Sequence, residues 1–200
     1  MKTFDQWIEN PTQNIDESSS DLFKKKDNSD SHRITEFKQT PTVRPKSKEE
    51  LKGIIEDTMR KEGSNCDLNF IDTSLITDMS MLFSGSDFNG IISKWDVSNV
   101  TNMSEMFSES YFEGDLHEWD VSNVVDMYSM FWASYFNSDI ANWDVSKVID
   151  MRSMFAESDF NRNISKWNVS KNALLYGMFE RTYLEKNGTL PNWYKWHHNK

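Results

Sequence analysis

Five polar side chains recur at intervals of 24 residues from residue 72 onward, and a row of carboxylates could bind a cation. Calcium takes six to eight oxygen ligands, but the Gly-rich pattern of calcium-binding solenoids is absent. Most of these residues stand directly before Val-Ser, where an Asp or Asn side chain can accept a backbone N–H and close a turn. We therefore expect turn capping rather than metal binding at Asp72, Asp96, Asp120, Asp144 and Asn168.

The remaining side chains with reactive or metal-binding chemistry form no recognisable catalytic pattern. The four His residues show neither triad-like nor HExxH spacing, and Cys66 is the only cysteine, which excludes an internal disulfide. Two methionine columns at helical spacing are typical of core packing. They are Met79, Met103, Met127 and Met151, and Met106, Met130, Met154 and Met178. The sequence predicts a protein that is not an enzyme, with no metal site and no cofactor.

Residues 95–142 combine acidic and aromatic side chains in a way that is typical of a protein-binding surface. This range holds nine Asp or Glu and no Lys or Arg. Aromatic residues here occupy positions where the neighbouring units have small or polar residues, and Tyr111 and Tyr135, one unit apart, should stack side by side. Aromatic anchors with a charged rim favour recognition of a protein of opposite charge. The predicted partner-binding residues are Tyr111, Tyr128, Trp132, Tyr135, Glu105, Glu109 and Glu113.

This surface suggests a non-enzymatic module that binds a protein partner with a basic surface, and two other interpretations stay open. Trp132 could instead pack between units while the acids keep a chain of formal net charge −10 in solution. The other interpretation is an acidic inhibitor of a DNA-binding enzyme, of the phage or anti-defence type, that mimics nucleic acid. Duplex nucleic acid itself is not expected as a ligand because it would meet like charge.

These residues belong to a repeat of 24 residues that begins at residue 71. Its motifs read WDVSNVTNMSEMF, WDVSNVVDMYSMF and WDVSKVIDMRSMF, with degenerate copies before and after them. A period of this length predicts a solenoid of stacked units. Within one unit, the alternation of Trp119 and Val121 with Asp120 predicts a short strand. Met127, Met130 and Phe131 fall at i, i+3 and i+4, which predicts a short helix.

The sequence also predicts what lies at the two ends of the repeats. Residues 45–70 should cap the first unit, because 46–62 form an amphipathic helix with a capping box at Ser47 and Glu50. The five-unit solenoid then spans 71–190, and 191–200 form the C-terminal cap and tail. Residues 1–44 are polar and expected to be flexible, apart from a small apolar cluster that could dock on the domain or a partner. That cluster is Phe4, Trp7 and Ile8.

The repeats resemble the BspA-like leucine-rich-repeat family of bacteria over about residues 64–192. The resemblance implies an LRR-like α/β solenoid of short parallel strands and short helical segments, and a role in adhesion through protein ligands at the cell surface. The sequence has no apolar stretch of the roughly 18 residues that a membrane span needs, so no membrane insertion is expected. Its first residues lack a signal peptide, which predicts a cytoplasmic protein as it stands. An exported surface adhesin is therefore the alternative that requires a leader.

Overall fold

The computed structural model describes residues 43–198, and side chains up to residue 195. The predicted N-terminal segment with Phe4, Trp7 and Ile8 lies outside the described residues. Three helices occur within the described range: α1 (Lys48–Glu62), α2 (Tyr183–Lys186) and α3 (Asn192–His198). None of the three has the length and apolar character needed to cross a bilayer.

Helix α1 forms within residues 46–62, where the sequence predicts a helix. Its capping residues fix its two ends, and its apolar side chains fix the face that is buried. The Ser47 hydroxyl accepts the Glu50 N–H, and the Glu50 carboxylate accepts the Lys46 N–H, which satisfies backbone donors at the start of the helix. Gly63, with φ +89°, ends the helix. Leu51 and Ile55 are fully buried against the first repeat unit, so α1 covers the N-terminal end of the apolar core.

The 24-residue units stack on one another in parallel register. Between residues 78 and 174 the backbone pairs through single parallel bridges rather than continuous strands. A segment of eight residues, here called the turn segment, follows each of these positions. In the first four units its alternate N–H groups donate to carbonyls of the next unit. In the third unit the donors and acceptors are Met127 to Asp150, Ser129 to Arg152, Phe131 to Met154 and Ala133 to Ala156, at 2.8–2.9 Å. The turn segments are residues 79–86, 103–110, 127–134, 151–158 and 175–182.

The predicted short helix in each unit is instead a series of turns. Met130 donates its N–H to the Met127 carbonyl and Ser134 donates to Phe131, with left-handed residues at Ser129 and Ala133 (φ 49° and 50°). Two consecutive turns of this type place Met127, Met130 and Phe131 inward, as one face of a helix would. The N–H groups that a helix would use internally are the ones that join neighbouring units.

The predicted strand at Trp119 and Val121 is also absent, since a bend occupies this part of the unit. Trp119 donates its N–H to Leu116, and Val124 donates to Val121. Trp119 and Val121 are buried while Asp120 is exposed. The alternation of buried and exposed side chains that predicts a strand therefore arises from a bend in the backbone.

The core consists of aromatic columns, each with one side chain from every unit. One column stacks Phe83, Phe107, Phe131, Phe155 and Phe179 at centroid distances of 5.4–5.7 Å. A tryptophan column runs beside it, and each indole Nε1–H donates to the carbonyl of an aliphatic residue of the preceding unit. These bonds are 3.0–3.2 Å long and join Trp95 to Leu68, Trp119 to Ile92, Trp143 to Leu116, Trp167 to Ile140 and Trp193 to Ile164. Every buried indole N–H therefore has an acceptor, and each unit needs its neighbour to provide one.

Trp193 continues the tryptophan column although it lies 26 residues, not 24, after Trp167. Its ring stacks on Trp167 at 6.3 Å, and Tyr194 lies edge-on against Phe179 at 4.9 Å. Burial raises the pKa of Tyr194 to about 12, so its hydroxyl stays protonated at neutral pH. Residues 191–195 thus cover the C-terminal end of the apolar core.

Candidate functional site

The centre of the predicted binding surface is a pair of stacked, exposed tyrosines. The Tyr111 and Tyr135 rings lie 5.1 Å apart with 12° between their planes. They are 56 % and 48 % exposed. Each comes one residue before a fully buried Phe, at 112 and 136, and the alternation turns the Tyr outward. The stacking predicted for these two residues is confirmed, and it presents a flat aromatic surface to solvent.

Tyr128 lies on the turn segment of the third unit and already has a cationic neighbour. The Arg152 guanidinium carbon is 5.4 Å from the centroid of the Tyr128 ring, a cation–π distance. Two guanidinium nitrogens of Arg152 donate to the Asp150 carboxylate at 2.6–3.0 Å. Burial raises the pKa of Asp150, but the hydrogen bonds from Arg152 outweigh it and hold that pKa below its usual value. Sequence reasoning missed the contact between Tyr128 and Arg152.

Trp132 is half-buried and lies on the same turn segment as Tyr128. The predicted short helix would have placed positions 128 and 132 on one face, and the absence of that helix removes this reason for grouping the two side chains. Among the described residues, Trp132 has no ring contact with Tyr128 or Tyr135. Its carbonyl accepts the Glu109 N–H at 2.7 Å, which places Glu109 next to it in the preceding unit.

The three predicted glutamates surround these aromatic residues. The Glu105 N–H donates to the Tyr128 carbonyl at 2.8 Å, so Glu105 and Glu109 adjoin Tyr128 and Trp132 respectively. Glu113 follows Tyr111 by two residues and is exposed. Among the described side chains, which end at residue 195, no Lys, Arg or His lies within ion-pair distance of these three carboxylates. They therefore remain available to a cationic ligand.

Other acids in the 95–142 range are already engaged within the chain. Glu118 pairs with Lys94 at 3.3 Å, and Asp115 lies 2.7 Å from the His117 ring. The backbone and side-chain hydrogen bonds from His117 outweigh burial and lower the pKa of Asp115. Two of the nine acids of this range therefore have a Lys or His neighbour, whereas Glu105, Glu109 and Glu113 have none among the described side chains. The seven predicted residues define what we call the Tyr–Glu surface.

The recurring aspartates close turns, as the sequence analysis predicts. Asp72, Asp96, Asp120 and Asp144 each accept the N–H of the Ser two residues later at 3.0 Å. Hydrogen bonds from those Ser residues lower the pKa of Asp72, Asp120 and Asp144. A second column with the same role went unnoticed, because its members vary between Asp and Asn. It contains Asp78, Asn102, Asp126 and Asp150.

The structure also places the remaining residues with potential chemistry. Cys66 is buried, and burial raises the pKa of its thiol. Among the residues whose side chains the structure describes, no group of three or more His, Cys, Asp or Glu has the arrangement needed to hold a metal ion. The Met residues of both columns are buried in the core.

The fold defines a protein built from stacked 24-residue units, each held to the next by backbone and indole hydrogen bonds. A family model matches residues 51–159 and 112–197, and its description is Mycoplasma protein of unknown function, DUF285. These matches cover well over half of the sequence, so the chain belongs to the DUF285 family. No curated protein and no solved structure matches the chain.

Proposed function

We propose that this protein is a non-enzymatic binding module that recognises a basic, arginine-containing segment of a protein partner through the Tyr–Glu surface. The single observation that carries the proposal is the exposed stack of Tyr111 and Tyr135. Glu109 and Glu113 lie two residues before and after Tyr111, and neither has a cationic partner among the described side chains. A soluble protein has no need to expose two stacked rings, whereas aromatic side chains are enriched at binding sites.

The proposed contact has a counterpart inside the protein. Arg152 lies over Tyr128 while its guanidinium is held by a carboxylate. A partner arginine over Tyr111 or Tyr135 would find the same two elements, an aromatic face and a nearby Glu. Arg suits this arrangement better than Lys because its planar group stacks on rings and donates several hydrogen bonds.

We also propose that the stacked units form an LRR-like solenoid of the BspA-like type. Parallel bridges at a 24-residue spacing and one core side chain per unit and column support this class. The turn segments replace the short helical segments that the resemblance implies. In such repeat arrays each unit contacts mainly its neighbours, and an extended surface is left for ligands.

The proposal is tested by titrating the protein with a fluorescent octapeptide of alternating Arg and Gly and measuring anisotropy. A Glu–Gly octapeptide is the control ligand. Replacing both Tyr111 and Tyr135 by Ala should weaken binding about tenfold or more, because a hot-spot aromatic contributes more than ~1 kcal/mol and ~1.4 kcal/mol is tenfold in affinity.

Tyr183 provides a matched control variant. It occupies the same repeat position as Tyr111 and Tyr135 and is 59 % exposed, but its neighbour in that column is Asp159 rather than a second tyrosine. Tyr183→Ala should leave the affinity unchanged. Equal losses in both variants, or equal binding of the two octapeptides, would contradict the proposal.

The second pair of predicted contacts is tested separately. Replacing Tyr128 and Trp132 by Ala should also reduce binding of the Arg–Gly peptide while leaving the circular dichroism spectrum unchanged. Unchanged affinity in that double variant would confine the site to the Tyr111–Tyr135 stack.

A further inference from the structure

The ladder between turn segments ends with unused donors in the last unit. In the fourth unit, the N–H groups of Met151 and Ser153 donate to the carbonyls of Leu174 and Tyr176 at 2.9 and 3.0 Å. The equivalent donors of the fifth unit are Leu175 and Gly177. Among the described residues, neither of these N–H groups has an acceptor. The edge formed by residues 174–177 is called the open edge.

Helix α2 and the C-terminal cap satisfy the other donors of the same turn segment. The Arg181 N–H donates to the Glu185 carboxylate at 2.6 Å, and the Phe179 N–H donates to the Tyr194 hydroxyl oxygen. One residue of α2 and one of the cap thus replace a sixth unit at two of the four donor positions. Leu175 and Gly177 are the positions that the cap leaves uncovered. Unpaired edges of this kind are ready to pair with another extended chain.

The side chains of the open edge suit a ligand that is both apolar and cationic. Tyr176 is 77 % exposed, the largest exposure among the large hydrophobic side chains of the described residues. Leu174 is 49 % exposed and directly precedes Leu175, the first of the two residues whose N–H groups have no acceptor. The Glu180 carboxylate lies beside Gly177, 3.5 Å from where a Cβ would stand. Within the described range, Glu180 has no ion pair.

The fourth unit shows which residues fit such an edge. Its segment Ile149–Arg152 pairs with the third unit through the carbonyls of Asp150 and Arg152, and Arg152 lies over Tyr128. Tyr176 occupies the repeat position of Tyr128. An incoming chain in the same register would therefore place its aliphatic counterpart of Ile149 beside Ala173, which adjoins Leu174, and, three residues later, an arginine over Tyr176.

We propose that the open edge binds an extended segment of a partner protein with the pattern aliphatic-x-x-Arg, which adds in parallel as the next rung of the ladder. Two carbonyls of that segment accept the N–H groups of Leu175 and Gly177. Its arginine stacks on Tyr176 and faces the Glu180 carboxylate. This is strand addition, in which main-chain hydrogen bonds supply affinity and the side chains supply specificity. The site is separate from the Tyr–Glu surface.

The probe is an acetylated and amidated peptide, KVIDMRSMF, which is the sequence of residues 147–155. The control peptide has Glu in place of Arg. Amide hydrogen exchange of the full chain, followed by NMR, should slow at Leu175 and Gly177 by about tenfold or more when the peptide saturates the protein, because each gains a hydrogen bond. Unchanged exchange at both amides under saturation would overturn the proposal.

Two variants separate this site from the Tyr–Glu surface. Replacing Leu174 by Asp and Tyr176 by Ala should abolish binding of KVIDMRSMF, and both side chains are exposed enough for the fold to survive. Replacing Tyr111 and Tyr135 by Ala should leave this peptide's affinity unchanged. The opposite outcome, with loss only in the Tyr111 and Tyr135 variant, would place the peptide on the Tyr–Glu surface and contradict an open-edge site.

Discussion

Two aromatic stacks with the same 24-residue spacing should respond very differently to truncation, because one is buried and the other is exposed. Phe131 is fully buried between Phe107 and Phe155, at 5.6 and 5.7 Å, and also contacts Phe136 at 4.0 Å. Removing this ring leaves a cavity in the middle of the column. Phe131→Ala should lower the free energy of unfolding by about 3–5 kcal/mol, the usual cost of such a truncation.

Tyr135 is the matched comparison from the neighbouring position. Its ring is 48 % exposed and stacks on one other ring, that of Tyr111. An exposed aromatic pair contributes about 0.5–1.5 kcal/mol beyond its buried area, so Tyr135→Ala should cost roughly 1 kcal/mol. The free energy of unfolding of a small domain is about 5–15 kcal/mol. Phe131→Ala should therefore lose much of its stability, while Tyr135→Ala should stay folded.

The assay is urea unfolding of both variants, followed by circular dichroism at 222 nm and by tryptophan fluorescence. The expected difference in the free energy of unfolding is at least about 2 kcal/mol between the variants. An equal loss would show that the Tyr111–Tyr135 stack is a structural element. That result would refute the reasoning that assigns these rings to ligand binding.

Three further predictions concern the turns and the indole hydrogen bonds. Trp143→Phe should cost about 1–3 kcal/mol in urea unfolding, because it removes the indole bond to the Leu116 carbonyl and part of a buried ring; no loss would contradict a structural role for that bond. Ser153 has a left-handed backbone conformation with φ 54°, which Gly adopts easily and Val does not. The urea midpoint of Ser153→Gly should therefore be at least as high as that of the wild type, and the midpoint of Ser153→Val should be lower. The reverse order would contradict the assigned turn. The depressed pKa of Asp144 means that its stabilisation is present above the unfolded pKa of about 3.9 and is lost as the pH falls through the folded value. Asp144→Asn should therefore weaken the fall of the unfolding midpoint as the pH drops below the unfolded pKa of about 3.9, and an unchanged dependence would contradict the capping role.

The repeat, its inward-facing residues and the stacking of Tyr111 on Tyr135 could be predicted from the sequence, because each depends only on the 24-residue period. The same is true of α1, whose stripe and capping residues are local signals. All of these follow from spacing and residue type.

The local conformation within a unit could not be predicted from those signals. Met127, Met130 and Phe131 point inward from two consecutive turns as they would from a helix, so the hydrophobic pattern does not distinguish the two. The deciding factor is where the backbone N–H groups find acceptors. In this fold the N–H groups donate to carbonyls of the next unit. The stacking of the units, and not local propensity, therefore determines the conformation.

The finer features of the candidate sites also depend on contacts between units. The Arg152–Tyr128 pair joins residues 24 apart, and their cation–π contact is visible only once the units are aligned. The open edge at Leu175 and Gly177 depends on which donors the cap covers. A sequence shows the repeat but not the point at which the hydrogen-bond ladder runs out of acceptors.

The central proposal, that the Tyr111–Tyr135 stack binds an arginine-containing segment, is tested most directly by NMR of the tyrosine rings. Protein with ring-labelled tyrosine is titrated with the Arg–Gly octapeptide, and the ring signals are assigned with single Tyr→Phe variants. We predict that the Tyr111 and Tyr135 signals shift together and saturate at one affinity, while the Tyr183 signal stays in place. Signals at 111 and 135 that remain unchanged while the peptide is bound would contradict the proposal.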